Sequence, residues 1–192
     1  MTDQSPTLLV TTLLEIERHV AVSGWDRPPL LYALVDTSDL VRREPALAAE
    51  LGLDNPDVPA NGLTPVEQDP LPDGPLEDAL ARIEWPPAVR GCALVQEVVT
   101  LPPEAEADMP DDDGAAYYAA THPLRQEIRL AVGVLRDGSR AAAARIRDQR
   151  PLTDQAPPLG QESQGNQPED ANLVVDADLA PALAEALLAT LG

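Results

Sequence analysis

The chain has 192 residues, enough for one domain with a hydrophobic core, and its formal net charge is −20. All 13 basic residues are arginine, which excludes the phosphate loops, Schiff-base sites and kinase sites that depend on lysine. One cysteine and two histidines exclude an internal disulfide and a multi-cysteine metal centre, so no cofactor and no metal is expected. The negative charge argues against nucleic acid and anionic membranes as partners.

Apolar residues make up 44% of the chain, but aromatic residues only 3%. The core must therefore consist of Leu, Val and Ala. No charged segment followed by an apolar one opens the chain, and no apolar stretch approaches the length of a membrane span. We therefore expect a cytoplasmic protein, with which a lone thiol is compatible. A GC-rich genome explains arginine without lysine, and a halophilic host is the alternative explanation.

The N-terminal third predicts two helices around one strand. Residues 6–22 have apolar side chains at helical spacing behind the N-cap Ser5, which predicts a helix. The apolar run 30–35 predicts a buried strand. A helix to about Leu51 should follow, and Pro45 should kink or split it.

The middle of the chain predicts a loop, a short helix and a central strand. Residues 52–74 are rich in Pro, Gly and Asp and are interpreted as loop, with a short extended piece at 63–68. A helix should begin at Pro75 and end before Trp85. The apolar run 91–101 is typical of a central strand that is covered on both faces.

Two segments lack the apolar pattern of packed elements. Residues 102–120 are acidic and are predicted to form a mobile loop. Residues 151–172 consist mainly of Pro, Gln, Gly and Asp, which predicts a disordered linker. Leucines at helical spacing over 178–191 then predict an amphipathic C-terminal helix that packs back on the core.

Residues 126–147 predict a β-hairpin with a definite register. The turn is Asp137-Gly138. A two-residue loop would place Arg145 among apolar side chains, which costs several kcal/mol (about 3 or more). A three-residue loop with Gly138 in the left-handed region instead pairs Leu130 with Ala144. We therefore predict the bulged turn.

In that register the polar face of the hairpin is rich in arginine. Arg129 lies opposite Arg145, and Glu127 lies opposite Arg147. Facing like charges repel unless an anion relieves them. Arg129, Arg145 and Arg147, with Arg125, are therefore the candidate site for an anion or an acidic partner. Alternatively, these arginines are solvated or satisfied internally by the acidic residues of 104–113.

Other titratable residues offer weaker candidates. Glu15 and His19 lie one helical turn apart. A carboxylate beside an imidazole can act in acid–base catalysis, but such a pair is more often an exposed ion pair on a helix surface. His122 would need Asp111–Asp113 to hold a metal, and this run lacks the spacing of a calcium loop. Cys92 lies in the predicted central strand and is interpreted as a core residue.

Trp25 and Trp85 each lie next to or near a pair of prolines. Each is interpreted as a core residue or, alternatively, as a platform for a ligand. The chain contains no G-x-S-x-G and no G-x-G-x-x-G motif. We therefore assign no catalytic residue.

Several segments together resemble a known family. They are Gly24-Trp25-Asp26-Arg27-Pro28-Pro29 before Leu-Tyr-Ala-Leu-Val, Leu-Thr-Pro-Val-Glu-Gln at 63–68, Trp85-Pro86, Gly-Cys-Ala-Leu-Val at 91–95, Val-Leu-Arg-Asp-Gly at 134–138 and the Leu/Ala-rich last helix. The chain resembles a family of uncharacterised small acidic proteins from actinobacteria. The resemblance implies a cytosolic protein from a GC-rich host and implies no activity.

These observations predict one α+β domain over 1–192. It should contain a mostly antiparallel sheet of about four strands, with packed helices that include the N-terminal and C-terminal amphipathic ones. The expected function is that of a non-enzymatic adaptor or regulatory binding protein for an acidic protein or a small anion. The alternative is an enzyme or small-molecule sensor that holds an anionic ligand on the arginine face, and a third possibility is a homodimer through that face.

Cavity geometry distinguishes these alternatives. An enzyme predicts a concave cavity in which Arg129, Arg145 or Arg147 converges with Trp25, His122 or Cys92. An adaptor predicts a flat or convex arginine face.

Overall fold

A six-stranded antiparallel sheet forms the centre of the fold. The computed structural model describes residues 5–53, 55, 59, 61–110, 114–147 and 172–192. The strands are β1 (Leu30–Asp36), β2 (Leu63–Glu67), β3 (Val89–Thr100), β4 (Gln126–Leu135), β5 (Arg140–Ile146) and β6 (Leu173–Val175). Their order across the sheet is β2-β1-β3-β4-β5-β6.

The expected α+β class and antiparallel sheet are confirmed, but the expected number of about four strands is wrong. The two additional strands, β2 and β6, are the edges of the sheet and have only five and three residues. The sequence indicated β2 only as a short extended piece at 63–68, and the three residues of β6 are too few for an alternating pattern to identify. Their assignment depends on pairing with β1 and β5, which are distant in sequence.

Helices cover both faces of the sheet. They are α1 (Ser5–Val22), α2 (Thr37–Arg43), α3 (Pro45–Glu50), α4 (Leu76–Leu80), α5 (Pro103–Ala107), α6 (Gly114–Thr121) and α7 (Pro181–Ala189). Helix α1 packs on β4 and β5 on one face, and α7 packs on β3 and β4 on the other. None of the described helices combines the length and the hydropathy of a membrane span.

The apolar stripe of α1 builds the first core layer. Leu9, Leu13, Ile16 and Val20 are all nearly inaccessible to solvent and pack against small side chains of the sheet. Small sheet residues such as Ala131 and Ala143 let the helix approach closely. The predicted helix over 6–22 is thus confirmed, and its apolar stripe is the reason that this side of the helix is buried.

The second core layer lies under α7. Leu187 and Leu191 pack with Cys92 and Val134 from the centre of the sheet. Cys92 is fully buried, as expected for a core residue. The C-terminal helix is confirmed, although it begins at Pro181 rather than near Asp178, because proline is favoured in the first turn of a helix.

Arg136 connects the residues after α7 to the start of β3 by hydrogen bonds. Its guanidinium donates hydrogen bonds to the carbonyl oxygens of Val89 (Nε, 2.9 Å), Trp85 (Nη2, 3.2 Å) and Leu191 (Nη1). The Trp85 indole nitrogen also donates to Thr190 Oγ1 at 2.9 Å. Trp85 is therefore a packing residue that connects the segment before β3 to the C-terminus.

The register of the β4–β5 hairpin agrees with the sequence prediction. Leu130 pairs with Ala144, and Arg129 pairs with Arg145. The turn closes with a hydrogen bond from Leu135 N to Ser139 O at 2.9 Å, and Gly138 has φ of 87°. The loop therefore has three residues with Gly138 in the left-handed region, as required to keep arginine out of the apolar face.

Three further sequence predictions concern the second helix, the acidic segment and the linker. Pro45 splits the second helix into α2 and α3, as expected. The prediction that 102–120 is a loop is wrong, because the segment contains α5 and most of α6. Proline and glutamate at 103 and 104 favour the start of a helix, and the alanines of α6 have high helix propensity. The mobility of this segment stays a prediction. The predicted linker 151–172 lies outside the described residues except for Asn172.

Gly91 permits the close contact between β3 and β4. A Cβ atom at this position would lie 2.2 Å from Val134 O and 2.5 Å from Leu135 Cδ2. The first of these atoms belongs to the backbone of a central strand, which cannot move without disturbing the sheet. Glycine is therefore required here for steric reasons.

We expect Gly91→Ala to lower the free energy of unfolding by about 1–3 kcal/mol, measured by urea denaturation, because it overpacks the sheet. Gly133→Ala is the matched control. Its Cβ would meet no backbone atom within 4 Å among its nearest neighbours, which are Leu9 Cδ1 at 3.1 Å, Leu13 Cδ1 at 3.4 Å and Ala93 Cβ at 3.7 Å, so its loss should be smaller. Equal losses for the two variants would contradict this interpretation.

Candidate functional site

The predicted arginine face lies under α1 and beside the connector 23–29. There its side chains form what we call the arginine–carboxylate cluster. It comprises Glu17, Trp25, Asp26, Glu97, Glu127, Arg129, Arg145 and Arg147. The structure thus brings together three of the four predicted arginines and supplies each with a carboxylate.

Glu17 is the centre of this cluster. Its side chain is 0% exposed and accepts hydrogen bonds from Arg145 Nε and Nη2, both at 2.6 Å. This two-point geometry is the strongest arrangement that arginine and a carboxylate can form. A carboxylate that projects from α1 therefore joins the helix to β5 by a buried ion pair.

Arg129 lies deeper in the same cluster. Its side chain is 1% exposed, with Nη1 at 3.8 Å from Glu17 Oε1 and Nη2 at 3.3 Å from Glu97 Oε1. Nη2 also donates to the carbonyl oxygen of Gly24, and the guanidinium stacks 4.4 Å above the Trp25 ring. Nε has no hydrogen-bond partner among the described residues. Desolvation by the indole strengthens each of these electrostatic contacts.

Arg147 and Asp26 form the exposed border of the cluster. The two side chains pair through two hydrogen bonds of 3.0 Å, and Arg147 Nη1 also donates to Glu127 Oε2 at 2.5 Å. Hydrogen bonding from Arg147 holds the pKa of Asp26 below its usual range, and the same bond raises the pKa of Arg147. Asp26 N donates to Glu97 Oε2 at 2.7 Å, which joins the connector to the sheet.

The sequence identified the arginines but missed their main partner. Arg129 and Arg145 face each other across the hairpin, and the repulsion between them is relieved by Glu17. The sequence instead indicated the acidic residues of 104–113 as the internal partners. One feature of the sequence could have indicated Glu17. It lies four residues after Leu13, and residues at this spacing share one side of a helix, so Glu17 falls on the buried stripe of α1.

Arg125 and Arg147 also line a shallow cleft at the end of the hairpin. We call it the arginine cleft, and it has a volume of about 390 Å³. Its lining residues are Pro123, Leu124, Arg125, Gln126, Ile146, Arg147 and Asn172. Arg125 Nη2 lies 3.6 Å from Glu127 Oε1, and both arginine side chains are about one-third exposed. Of the predicted arginines, these two are therefore the ones that solvent reaches most easily.

The remaining candidates lie elsewhere. Glu15 and His19 are on the exposed side of α1. His122 stacks against Tyr118, with ring centres 5.2 Å apart, and its Nδ1 accepts from Leu124 N. The proposed ligands Asp111–Asp113 lie outside the described residues. Within the ranges that the structure describes, no group of three or more acidic, His or Cys side chains is placed to hold a metal ion.

Cys92 is an inert thiol by its surroundings. Burial is the main reason that its pKa rises to about 11 from a reference value of 9.0, so its thiolate is about 100-fold scarcer than in a free thiol.

We expect Ellman's reagent at pH 8 to react at least about 100-fold more slowly with the native protein than with the protein in denaturant. Reaction at comparable rates would contradict the buried position.

Replacement of Glu17 should show what the cluster contributes to folding. We expect Glu17→Gln to lower the free energy of unfolding by about 3–5 kcal/mol, because the partly buried Arg145 loses its two-point partner and the fully buried Arg129 keeps only Glu97 as a countercharge. Glu15→Gln, on the exposed side of the same helix, should change it by less than about 0.5 kcal/mol. Urea denaturation measures both.

An all-apolar replacement provides the complementary test. Glu17→Leu combined with Arg129→Leu and Arg145→Met should recover most of the stability that Glu17→Gln loses, because apolar residues often replace buried ion pairs without loss. A triple variant as unstable as Glu17→Gln would show that packing, not unpaired charge, causes the loss.

Comparison with known proteins gives a family and no further relative. No curated protein and no solved structure matches the chain. The family model described as PPA1309-like protein matches residues 9–192, and thus both core layers and the arginine–carboxylate cluster. This supports the resemblance to an uncharacterised family, whereas the actinobacterial origin stays a prediction. The chain belongs to the family of PPA1309-like proteins.

Proposed function

We propose that this protein is a non-enzymatic adaptor or regulatory protein that binds an acidic segment of a partner protein. The binding surface comprises helix α6 and the arginine cleft. The observation that supports this most directly is α6, an eight-residue helix of mostly Ala and Tyr with no buried residue. Exposed apolar surface of this kind is typical of sites that another protein covers.

Helix α6 leads directly into the arginine cleft. His122 N bonds to Tyr118 O at 2.9 Å, and Arg125 N bonds to His122 O at 3.1 Å. Tyr117 is 75% exposed and Leu124 is 60% exposed. Aromatic side chains and arginines are enriched in the centres of protein interfaces, and this segment presents both.

The charge of the surface indicates the chemistry of the partner. Arginine binds carboxylates in two-point geometry, and Arg125 and Arg147 both line the cleft. These two arginines are the most exposed of the predicted four, and an acidic segment of a partner would compete with Asp26 and Glu127 for their guanidinium groups. The proposed ligand is therefore a segment that combines carboxylates with apolar side chains.

The positions of the other candidates favour binding over catalysis. Arg129 is covered by α1 and paired within the protein, and Trp25 is occupied by its guanidinium. Cys92 lies on the opposite face of the sheet, under α7. Within the part of the chain that the structure describes, these groups do not line the arginine cleft together, as the enzyme alternative requires.

A small anion in the arginine cleft is the second candidate. The cleft volume of about 390 Å³ suits a small molecule, and Gln126 and Asn172 supply amide groups beside the two arginines. The experiment below separates this candidate from a protein partner.

A pull-down from an extract of the native cells tests the adaptor proposal. We expect the wild-type protein to retain a partner, and we expect the double variant Tyr117→Ser/Arg125→Glu not to retain it. Val22→Ser with Arg42→Glu is the matched control, because it removes one exposed apolar side chain and reverses one exposed charge elsewhere. The control should retain the partner, and circular dichroism should show all three baits folded.

If both variants retain the same proteins, or wild type retains none, the adaptor proposal is wrong. A thermal-shift series with phosphate and small dicarboxylates then tests the second candidate. Stabilisation of wild type that Arg125→Glu abolishes would support anion binding. Its absence would overturn that candidate too.

A further inference from the structure

A second cleft opens between α1 and α3, above the edge strand β2. Its volume is about 520 Å³, within the range of small-molecule sites. It lies beside β2, whereas the arginine cleft lies beside β5 and β6, at the opposite edge of the sheet. A smaller cavity of about 350 Å³ shares Glu15 and Pro65 with it.

The walls of this cleft are apolar. Ile16 forms part of the α1 side, and Leu47 and Leu51 contribute the α3 side. Leu51 is 44% exposed, although it is a large apolar residue at the mouth of a concave surface. An apolar ligand would cover Leu51 and gain about 25 cal/mol for each Å² removed from water.

The polar groups of the cleft are mainly carboxylates. Glu15 enters from α1 and Glu67 from β2. Glu67 is held in place, because the buried Tyr32 hydroxyl donates a hydrogen bond of 3.1 Å to Glu67 Oε2. Burial and the neighbouring carboxylate raise the pKa of Tyr32, so this hydroxyl keeps its proton and remains a donor.

The charge of the lining selects the ligand. No arginine is among the residues that line this cleft, and His19 is its one basic side chain. Arg27 acts electrostatically on Tyr32 from outside the lining. Two carboxylates beside an apolar wall fit a ligand with a positive head and an apolar body.

We infer that this cleft binds a small apolar amine, whose ammonium group pairs with Glu67 beside Glu15 and whose body lies on Ile16, Leu47 and Leu51. The inference is independent of the proposed function, since it involves neither α6 nor the arginine cleft. It assigns a ligand-binding role to residues of α1, α3 and β2 that the adaptor surface does not use.

Hexylamine is the probe, and hexanol and hexanoate are its neutral and anionic counterparts. Titrations of isotope-labelled protein followed by NMR should show hexylamine shifting the amide resonances of α1, β2 and α3. We expect hexanol and hexanoate to bind at least about tenfold more weakly, because they lack the charge that pairs with Glu67.

Two variants and one control complete the test. Glu67→Gln should weaken hexylamine binding about tenfold, and Tyr32→Phe should weaken it severalfold because Glu67 loses the bond that orients it. Glu104→Gln, an exposed acid on α5, should have no effect and controls for attraction to the negative surface in general.

Several results would overturn the inference. They are equal binding of hexanol and hexylamine, unchanged binding by Glu67→Gln, and small shifts spread over the whole surface. The absence of hexylamine binding would overturn it as well. None of these results affects the adaptor proposal, which is tested by variants at Tyr117 and Arg125.

Discussion

The buried pairing of Glu17 with Arg145 is the interaction on which the arrangement of this molecule depends. A single carboxylate from α1 pairs with Arg145 of β5 and lies 3.8 Å from Arg129 of β4, whose charge Glu97 also offsets, and it orients the helix over the sheet. A buried pair of this kind contributes little net stability, because both charges lose water when they are buried. It is costly to break, however, and so it disfavours other placements of α1. Its role is therefore to specify the packing more than to stabilise it.

The same constraint explains the connector after α1. Residues 23–29 carry Trp25 over the Arg129 guanidinium and Asp26 to Arg147. Asp26 adopts a φ of 66°, which is unusual for a residue other than glycine. The backbone tolerates this conformation because Arg147 and Glu97 hold Asp26 by its side chain and its amide. The arginine–carboxylate cluster thus accounts for Trp25 and Asp26 in this connector.

The two edges of the sheet differ in the charged residues that line their clefts. The described hairpin is rich in positive charge, but Arg129 and Arg145 are neutralised from within. Arg125 and Arg147 remain near solvent at the β6 edge, beside the exposed helix α6. At the β2 edge the accessible charges are mainly carboxylates. One chain therefore presents an arginine-lined surface and an acidic cleft at opposite ends of one sheet.

The sequence by itself determined the local structure. The α1 helix, the split at Pro45 and the register of the hairpin all followed from the spacing of apolar residues and from the cost of burying an arginine. Only the tertiary structure decided the partner of those arginines, because Glu17 lies more than a hundred residues away and no local pattern connects them. It also decided the edge strands, which exist through pairing with distant neighbours. Local periodicity records which side chains are buried, whereas the partner of a buried charge depends on how distant elements pack.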